Sequence, residues 1–351
     1  MKEILTPQAV ESLLAWYRNH KRDLPWRHTK DPYRIWISEI MLQQTRVEAV
    51  KPYYARFLEA CPDVASLARI DEKKLLKLWE GLGYYSRARN LQKAARTVME
   101  AYGGEMPRTY DGLRALAGIG DYTAGAIASI AYDLRVPAVD GNVLRVLSRV
   151  SGSYEDIAKQ ETKVALRERL GAVVPKDAGD FTQSLIELGA TVCVPNGEAK
   201  CERCPLSDVC FAKANGEIDA LPVKSAKKPR RIENRTILLI RDGDRTALCK
   251  RPEKGLLAGL YELPNVEGHL TEEELPAYIR GLGFDPLRFE RIEDAKHIFT
   301  HIEWHMIAYS VRISPEFDGW HEGSGMLLVN NRELRSDYAI PSAFSAYTKY
   351  L

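Results

Sequence analysis

Residues 116–140 constrain this chain more than any other stretch. They read Leu116-Ala117-Gly118-Ile119-Gly120-Asp121-Tyr122-Thr123, then, after an apolar run, Val136-Pro137-Ala138-Val139-Asp140, ahead of Gly141-Asn142. Gly118 and Gly120 can adopt backbone angles closed to other residues, so a tight turn is available between them. Residues 109–116 before the turn and 121–132 after it have helical composition and spacing. Two short helices joined by a glycine hairpin expose backbone N–H groups at the start of the second helix, and such a corner suits a phosphate oxygen. A lone Gly-x-Gly is only a turn. Asp140 sharpens the reading, because it sets a carboxylate in a second turn, ahead of the helix-like residues 142–150.

At 351 residues the chain is long enough for two domains, each with its own core. It contains no run of about 18 apolar residues able to span a membrane. Its start, Met1-Lys2-Glu3-Ile4-Leu5-Thr6, lacks the apolar stretch of an export signal, so a cytoplasmic, bacterial nucleoid-associated location is expected. A net charge of +2 does not announce nucleic acid, and any DNA affinity must come from local patches. Of six cysteines, four fall within residues 193–210. Without an export signal, a ligand cluster is a better reading of them than disulfides.

Residues 7–19, 32–60, 71–79, 86–102 and 178–190 repeat apolar side chains at helical spacing. In the fourth of these, Leu91, Ala94, Ala95, Val98 and Tyr102 form the expected buried stripe. Arg87, Arg89, Lys93 and Arg96 read as a solvated face, with phosphate contact as the alternative. The texture predicts a helical domain over 1–215, an extended basic linker over 216–233, and a smaller α+β domain over 234–351. In the last, 235–241, 246–250, 297–313 and 325–329 read as strands, and 276–282 and 342–350 as helices.

Pro32-Tyr33-x-x-Trp36-x-Ser38-Glu39-x-Met41-Leu42-Gln43-Gln44-Thr45 resembles the signature of the MutY family of adenine DNA glycosylases. These belong to the helix-hairpin-helix/Gly-Pro-Asp superfamily. Gly81-Leu82-Gly83-Tyr84-Tyr85-Ser86-Arg87-Ala88-Arg89-Asn90 resembles a second family segment, and the likeness runs over most of residues 20–215. It implies a mainly α helix-hairpin-helix glycosylase domain with the hairpin at 109–132 and an iron–sulfur module at 193–210, followed by an α+β Nudix-like domain. It also implies base-excision repair of double-stranded DNA by a monomer, removing adenine mispaired with 8-oxoguanine and, more weakly, with guanine.

Cleaving an N-glycosidic bond to adenine calls for two carboxyl roles. An acid protonates the departing base, and a carboxylate stabilises the oxocarbenium-like sugar. The resemblance assigns the first role to Glu39 and the second to Asp140, with Tyr122 and Asn142 supporting them. The apolar neighbours Trp36, Ile40 and Leu42 favour a protonated Glu39. Where strand-cleaving relatives carry a lysine that forms a Schiff base, this chain has Tyr122, so a monofunctional enzyme is expected. Trp26, Arg27, Leu42 and Gln183 match positions lining the adenine pocket. Gln44, Thr45, Leu82 and Tyr84 match the region that enters the base stack, and Gly118, Gly120 and Thr123 the hairpin grip on the backbone. Ala117 and Asp121 depart from the family hairpin, and an acid at position 121 sits badly beside a phosphate. The rival readings are a thymine or other mismatch glycosylase, and a non-catalytic mismatch-binding protein in which Glu39 and Asp140 are structural.

Cys193, Cys201, Cys204 and Cys210 can hold a [4Fe–4S] cluster or zinc, and spacing alone does not choose. The resemblance implies the cluster, although the first gap here is one residue longer than the family form. It also admits a monovalent cation at the hairpin. Residues 257–264, Leu-Ala-Gly-Leu-Tyr-Glu-Leu-Pro, resemble the strand entering a Nudix active site. Residues 271–284 lack the acidic pattern of the Nudix metal helix, so pyrophosphate hydrolysis is not expected. Phe299-Thr300-His301 matches the family's lesion-reading Phe-Ser-His, with the hydroxyl kept. His297, His301 and His305 have the spacing of a helical metal site, but the alternation of the residues around them favours a strand.

Overall fold

The computed structural model describes residues 4–195, 197–226, 229–314, 320–321 and 325–351. They form two compact units, Met1–Arg69 with Asn90–Ala226, and Ile70–Arg89 with Lys227–Leu351. The helices are α1 (Pro7–His20), α2 (Pro32–Leu42), α3 (Val47–Ala60), α4 (Val64–Arg69), α5 (Glu72–Leu78), α6 (Ser86–Ala101), α7 (Tyr110–Arg114), α8 (Asp121–Tyr132), α9 (Gly141–Ser151), α10 (Gln160–Gly171), α11 (Ala178–Thr191), α12 (Phe211–Ala214), α13 (Leu275–Gly281) and α14 (Asn331–Asp337).

Local sequence explains where the helices of the first unit begin. Thr6 caps α1, its hydroxyl accepting from the Ala9 N–H at 3.2 Å with Pro7 next in line. Asp31 caps α2 in the same manner through Tyr33 N at 2.9 Å. Asp140 caps α9 by accepting from Val143 N at 2.8 Å. The apolar stripe Val143, Leu144, Val146, Leu147 and Val150 of α9 enters one core with Leu13 and Leu14 of α1 and Leu185 and Leu188 of α11.

The expected helical stretch 32–60 is two helices rather than one. The break falls at residues 43–46, where Gln44 adopts a left-handed φ of 58° that no α-helix tolerates. In α6, Leu91, Ala94, Ala95 and Val98 are buried as expected, whereas Tyr102 follows the last helical residue and is exposed. Arg87 departs from the solvated-face reading. It is buried, donates to the Leu82 carbonyl at 2.8 Å and the Gly83 carbonyl at 3.1 Å, and lies 5.4 Å from the Trp79 ring.

The second unit is built on a sheet of β1 (Arg231–Asp242), β2 (Arg245–Lys250), β3 (Tyr261–Glu262), β4 (Asn265–Glu267), β5 (Pro286–Ile298), β6 (Ile302–Ile313), β7 (Trp320–His321) and β8 (Met326–Asn330). The order is β5-β6-β1-β2-β8-β7, with β1 and β6 parallel, β3 paired to β2 and β4 to β1. Alternation along the strands sends Ile237, Leu239, Met306 and Ala308 to one core and Leu238, Ile240, Ile307 and Tyr309 to the other. The expected strand 297–313 is the end of β5 and the whole of β6, separated by a turn at 299–301. Most of β5 escapes the sequence reading because it is an edge strand, half-buried only at Pro286, Phe289, Ile292, Ala295 and His297 and otherwise exposed. Residues 342–350 hold two 3-10 turns, not the expected helix, and α14 is an addition.

Residues 70–89 are tied into this second unit. Lys77 Nζ donates to the Tyr338 carbonyl at 3.0 Å, Ile340 N donates to Glu80 at 2.8 Å, and Arg89 Nη1 donates to the Ala258 carbonyl at 2.7 Å. Among the described residues, no helix is long and apolar enough to cross a membrane.

Candidate active site

In the first unit, α2, the start of α8, the cap of α9 and one face of α11 converge on a cavity of about 520 Å³. Ten of the residues singled out from sequence line it: Trp26, Arg27, Glu39, Leu42, Gln44, Thr45, Tyr122, Asp140, Asn142 and Gln183. Glu39 is only 7% exposed, a costly place for a carboxylate. Burial pushes its pKa up to about 7, Asp140 adds to the rise, and a 2.7 Å hydrogen bond from the Tyr122 hydroxyl and the charge of Arg27 oppose it. Near neutrality this group can therefore both hold and release a proton. Burial also raises the Asp140 pKa, but its ionised form is favoured by two donors, Val143 N and Asn142 Nδ2, each at 2.8 Å. Burial raises both carboxyls, and they differ in their partners: Glu39 accepts from the Tyr122 hydroxyl, Asp140 from an amide and a helix N-terminus.

Behind Asp140 the polar contacts continue. Asn142 Oδ1 accepts from Arg145 Nη2 at 3.0 Å, and Arg145 also donates to the carbonyls of Gly189 at 2.7 Å and Cys193 at 2.8 Å. Arg22 lines the same cavity and Glu187 is buried behind it, and neither was singled out from sequence. Glu187 is fully buried and accepts from Arg22 Nε and Nη2, both at 2.8 Å, and from Arg27 Nη2 at 2.7 Å. Burial alone would raise its pKa, but the two arginines override that and hold it at about 2. The available signal was an acid at an apolar helix position between Leu185 and Leu188.

The hairpin glycines do different jobs. Gly118 has a left-handed φ of 76°, and a Cβ there would lie 2.7 Å from Cβ of Asn90. Gly120 is extended, with φ −89° and ψ −179°, and caps α8 with open space around it. It leaves the N–H groups of the first turn open to approach. Thr123 is buried, and its hydroxyl faces Gln43 Nε2 at 3.4 Å, so its side chain does not extend the hairpin surface. Asp121 is not a bare negative charge. Arg114 Nε at 2.5 Å, Arg167 Nη1 at 3.0 Å and the Tyr110 hydroxyl at 3.1 Å converge on it.

Residues 37–172 match a family model described as HhH-GPD superfamily base excision DNA repair protein, and residues 236–350 one described as NUDIX domain. The chain is 37% identical to the adenine DNA glycosylase of Mus musculus, over 86% of this chain and 70% of that one. It is 32% identical to the adenine DNA glycosylase of Buchnera aphidicola subsp. Schizaphis graminum, over 86% of this chain and 87% of that one. This chain belongs to the adenine DNA glycosylase family. A solved thermostable thymine-DNA glycosylase is also similar, at 31% identity and TM-score 0.53, covering 59% of this chain and 95% of that one. A non-covalent Endonuclease III–DNA complex shares the fold at 22% identity and TM-score 0.51, covering 59% of this chain and 94% of its protein. The adenine DNA glycosylases are thus matched across both regions of the chain, and the two solved structures across a smaller share.

Relatives in the adenine DNA glycosylase family are expected to carry a metal cluster, and the four clustered cysteines bear on it. Cys193, Cys201, Cys204 and Cys210 line one small cavity with Val146, Leu188, Leu206 and Ile218. All four are free thiols, and Arg149 Nη1 donates to the Cys193 sulfur at 3.3 Å. Burial and mutual repulsion raise the pKa values of Cys201, Cys204 and Cys210, so bringing them together as thiolates requires a cation. The donor set fits an inorganic group bound by sulfur. Among the described residues, no His, Cys, Asp or Glu group is arranged to hold a metal ion.

In the second unit the turn 299–301 is fastened on both sides. Phe299 N donates to the Ile302 carbonyl at 2.8 Å, Arg231 N to the His301 carbonyl at 3.0 Å, and Arg230 Nε to the Phe299 carbonyl at 3.1 Å. The Phe299 ring stands edge-on to Trp304 at 5.0 Å and to His297 at 4.6 Å. The Thr300 hydroxyl meets the Tyr84 hydroxyl at 2.7 Å. Tyr84 is exposed with a left-handed φ of 47°, and Leu82 is buried beside it. The three histidines do not converge: His297 packs on Phe299, whereas His305 bonds to Glu303 at 2.8 Å.

Proposed function

We propose that this chain is a monofunctional glycosylase acting as a monomer on duplex DNA. It removes adenine opposite 8-oxoguanine and, more weakly, opposite guanine. The observation that carries this reading is the buried Glu39, with a pKa of about 7, in one cavity with Asp140. Glu39 gives its proton to N7 of the extruded adenine while the N9–C1′ bond breaks and its electron pair leaves with the base. Asp140 faces the positive charge that develops on the sugar. Water then completes an abasic site. Tyr122 is spent on holding Glu39 and has no amine to form a Schiff base, which supports base release without strand cleavage. Trp26, Arg27, Leu42 and Gln183 line the base cavity, and Gln44, with its left-handed backbone, stands at the same cavity.

The fastened turn Phe299-Thr300-His301, with an alcohol at its centre, supports a role for the second unit in reading 8-oxoguanine. The cysteine module would hold a [4Fe–4S] cluster in a structural role; four cysteines lining one cavity support this reading. Iron and acid-labile sulfide near four of each per chain are expected, and one zinc with no sulfide would refute this.

The deciding experiment follows base release from duplexes with A opposite 8-oxoguanine, A opposite G, T opposite G and A opposite T, with and without alkali. Breaks that appear only after alkali, fastest for A opposite 8-oxoguanine, are expected. Glu39→Gln should lose at least ~10²-fold in single-turnover rate while still binding the duplex. Unchanged release by that variant would sink the catalytic assignment, and preference for T opposite G would move the chain to the thymine branch.

A further inference from the structure

We propose that Glu187 is a positioning residue for base capture: its carboxylate fixes Arg22 and Arg27 in the wall of the cavity, and Arg27 then offers its remaining N–H groups to the extruded base. The inference rests on the adenine-excision reading above.

Glu187 lies on α11, and a carboxylate without exposure persists there only when paired and hydrogen-bonded. Its bonds leave no acceptor capacity over. Oε1 takes Arg22 N at 3.0 Å and Arg22 Nε at 2.8 Å, and Oε2 takes Arg22 Nη2 at 2.8 Å and Arg27 Nη2 at 2.7 Å. A carboxylate so saturated cannot accept a hydrogen bond from the base or carry its proton, so any part it plays passes through the arginines. Arg27 is pinned a second time by Nη1 to the Arg22 carbonyl at 3.0 Å, and its guanidinium lies 5.5 Å from the Tyr17 ring. Those two bonds use two of its five N–H donors, and Arg27 lines the cavity that holds Glu39. The acceptor nitrogens of an adenine ring are what a fixed guanidinium fork can recognise. Trp26 sits between the two pinned arginines in sequence, so the same anchor sets the backbone that presents its ring to the cavity.

A structural ion pair would tie α11 to residues 22–27 and do no more, and the test separates the two roles. In the full chain, Glu187→Gln and Arg27→Lys are compared with wild type on two duplexes, each with 8-oxoguanine opposite the site. One carries 2′-fluoro-adenosine, which resists cleavage, and the other a tetrahydrofuran abasic analogue, which offers no base to read. Both variants are expected to bind the 2′-fluoro-adenosine duplex roughly tenfold more weakly and, on a third duplex carrying ordinary adenine opposite 8-oxoguanine, to excise adenine roughly tenfold more slowly. Binding to the abasic duplex should stay within about twofold. Arg27→Lys keeps the charge and leaves Glu187 paired with Arg22, so it reports even where Glu187→Gln does not fold. Equal loss on both duplexes, or no loss on either, overturns the proposal. Absence of adenine release by the wild type overturns the reading beneath it.

Discussion

At the level of single residues, the Glu39–Tyr122 pair makes the pH profile a direct readout of the site. In the proposed mechanism Glu39 acts as an acid only when protonated, so its contribution should hold below its pKa of about 7 and fall roughly tenfold per pH unit above it. The Tyr122 hydroxyl stabilises the ionised form of Glu39. Tyr122→Phe should therefore raise the Glu39 pKa and move the alkaline limb of the single-turnover profile to higher pH; a limb that stays put would show that the bond does not tune the acid. Glu187 behaves with the opposite sign. Its folded pKa of about 2 lies below the usual 4.5, so its stabilising pairs are fully present above the ordinary carboxylate range and are lost as pH falls towards 2. The motif around Glu39 marked it in sequence as a candidate, and the structure places it in the cavity. Glu187 was not marked, because Arg22 lies 165 positions from it and no local pattern links them.

Among the elements, the hairpin carries the most divergent expectations for similar substitutions. Gly118→Ala puts a Cβ against Asn90 in a left-handed turn and should cost about 1–3 kcal/mol, read as a lower Tm together with weaker DNA binding. Gly120→Ala meets open space at an ordinary φ, so its Tm should scarcely change. Asp121 holds two arginines, and Asp121→Asn frees their charge; tighter duplex binding with a steeper salt dependence is expected, and an unchanged slope would mean that neither arginine faces DNA. The helices around this hairpin were legible because Thr109, Asp121 and Asp140 mark their starts in sequence. The break between α2 and α3 was not, since Gln44 carries no signal for a left-handed backbone. Edge strand β5 was missed for a related reason: only its partner β6 tells it to be a strand.

On the scale of the molecule, the proposed function places the selectivity of the second unit in one turn. Thr300→Ala removes the hydroxyl that meets Tyr84, and the rate ratio between A opposite 8-oxoguanine and A opposite G should fall several-fold, roughly 1 kcal/mol. An unchanged ratio would remove Thr300 from lesion reading. This unit is also discontinuous, and the ribosome makes the chain from one end. Ile70–Arg89 is synthesised long before Lys227–Leu351. Until then Lys77, Glu80 and Arg89 lack Tyr338, Ile340 and Ala258 as partners. The nascent protein must carry that segment unfinished until the second unit is complete. Cutting the chain at the basic linker would leave Lys77, Glu80 and Arg89 without those partners for good, so a fragment ending there should melt at a lower Tm than the full chain.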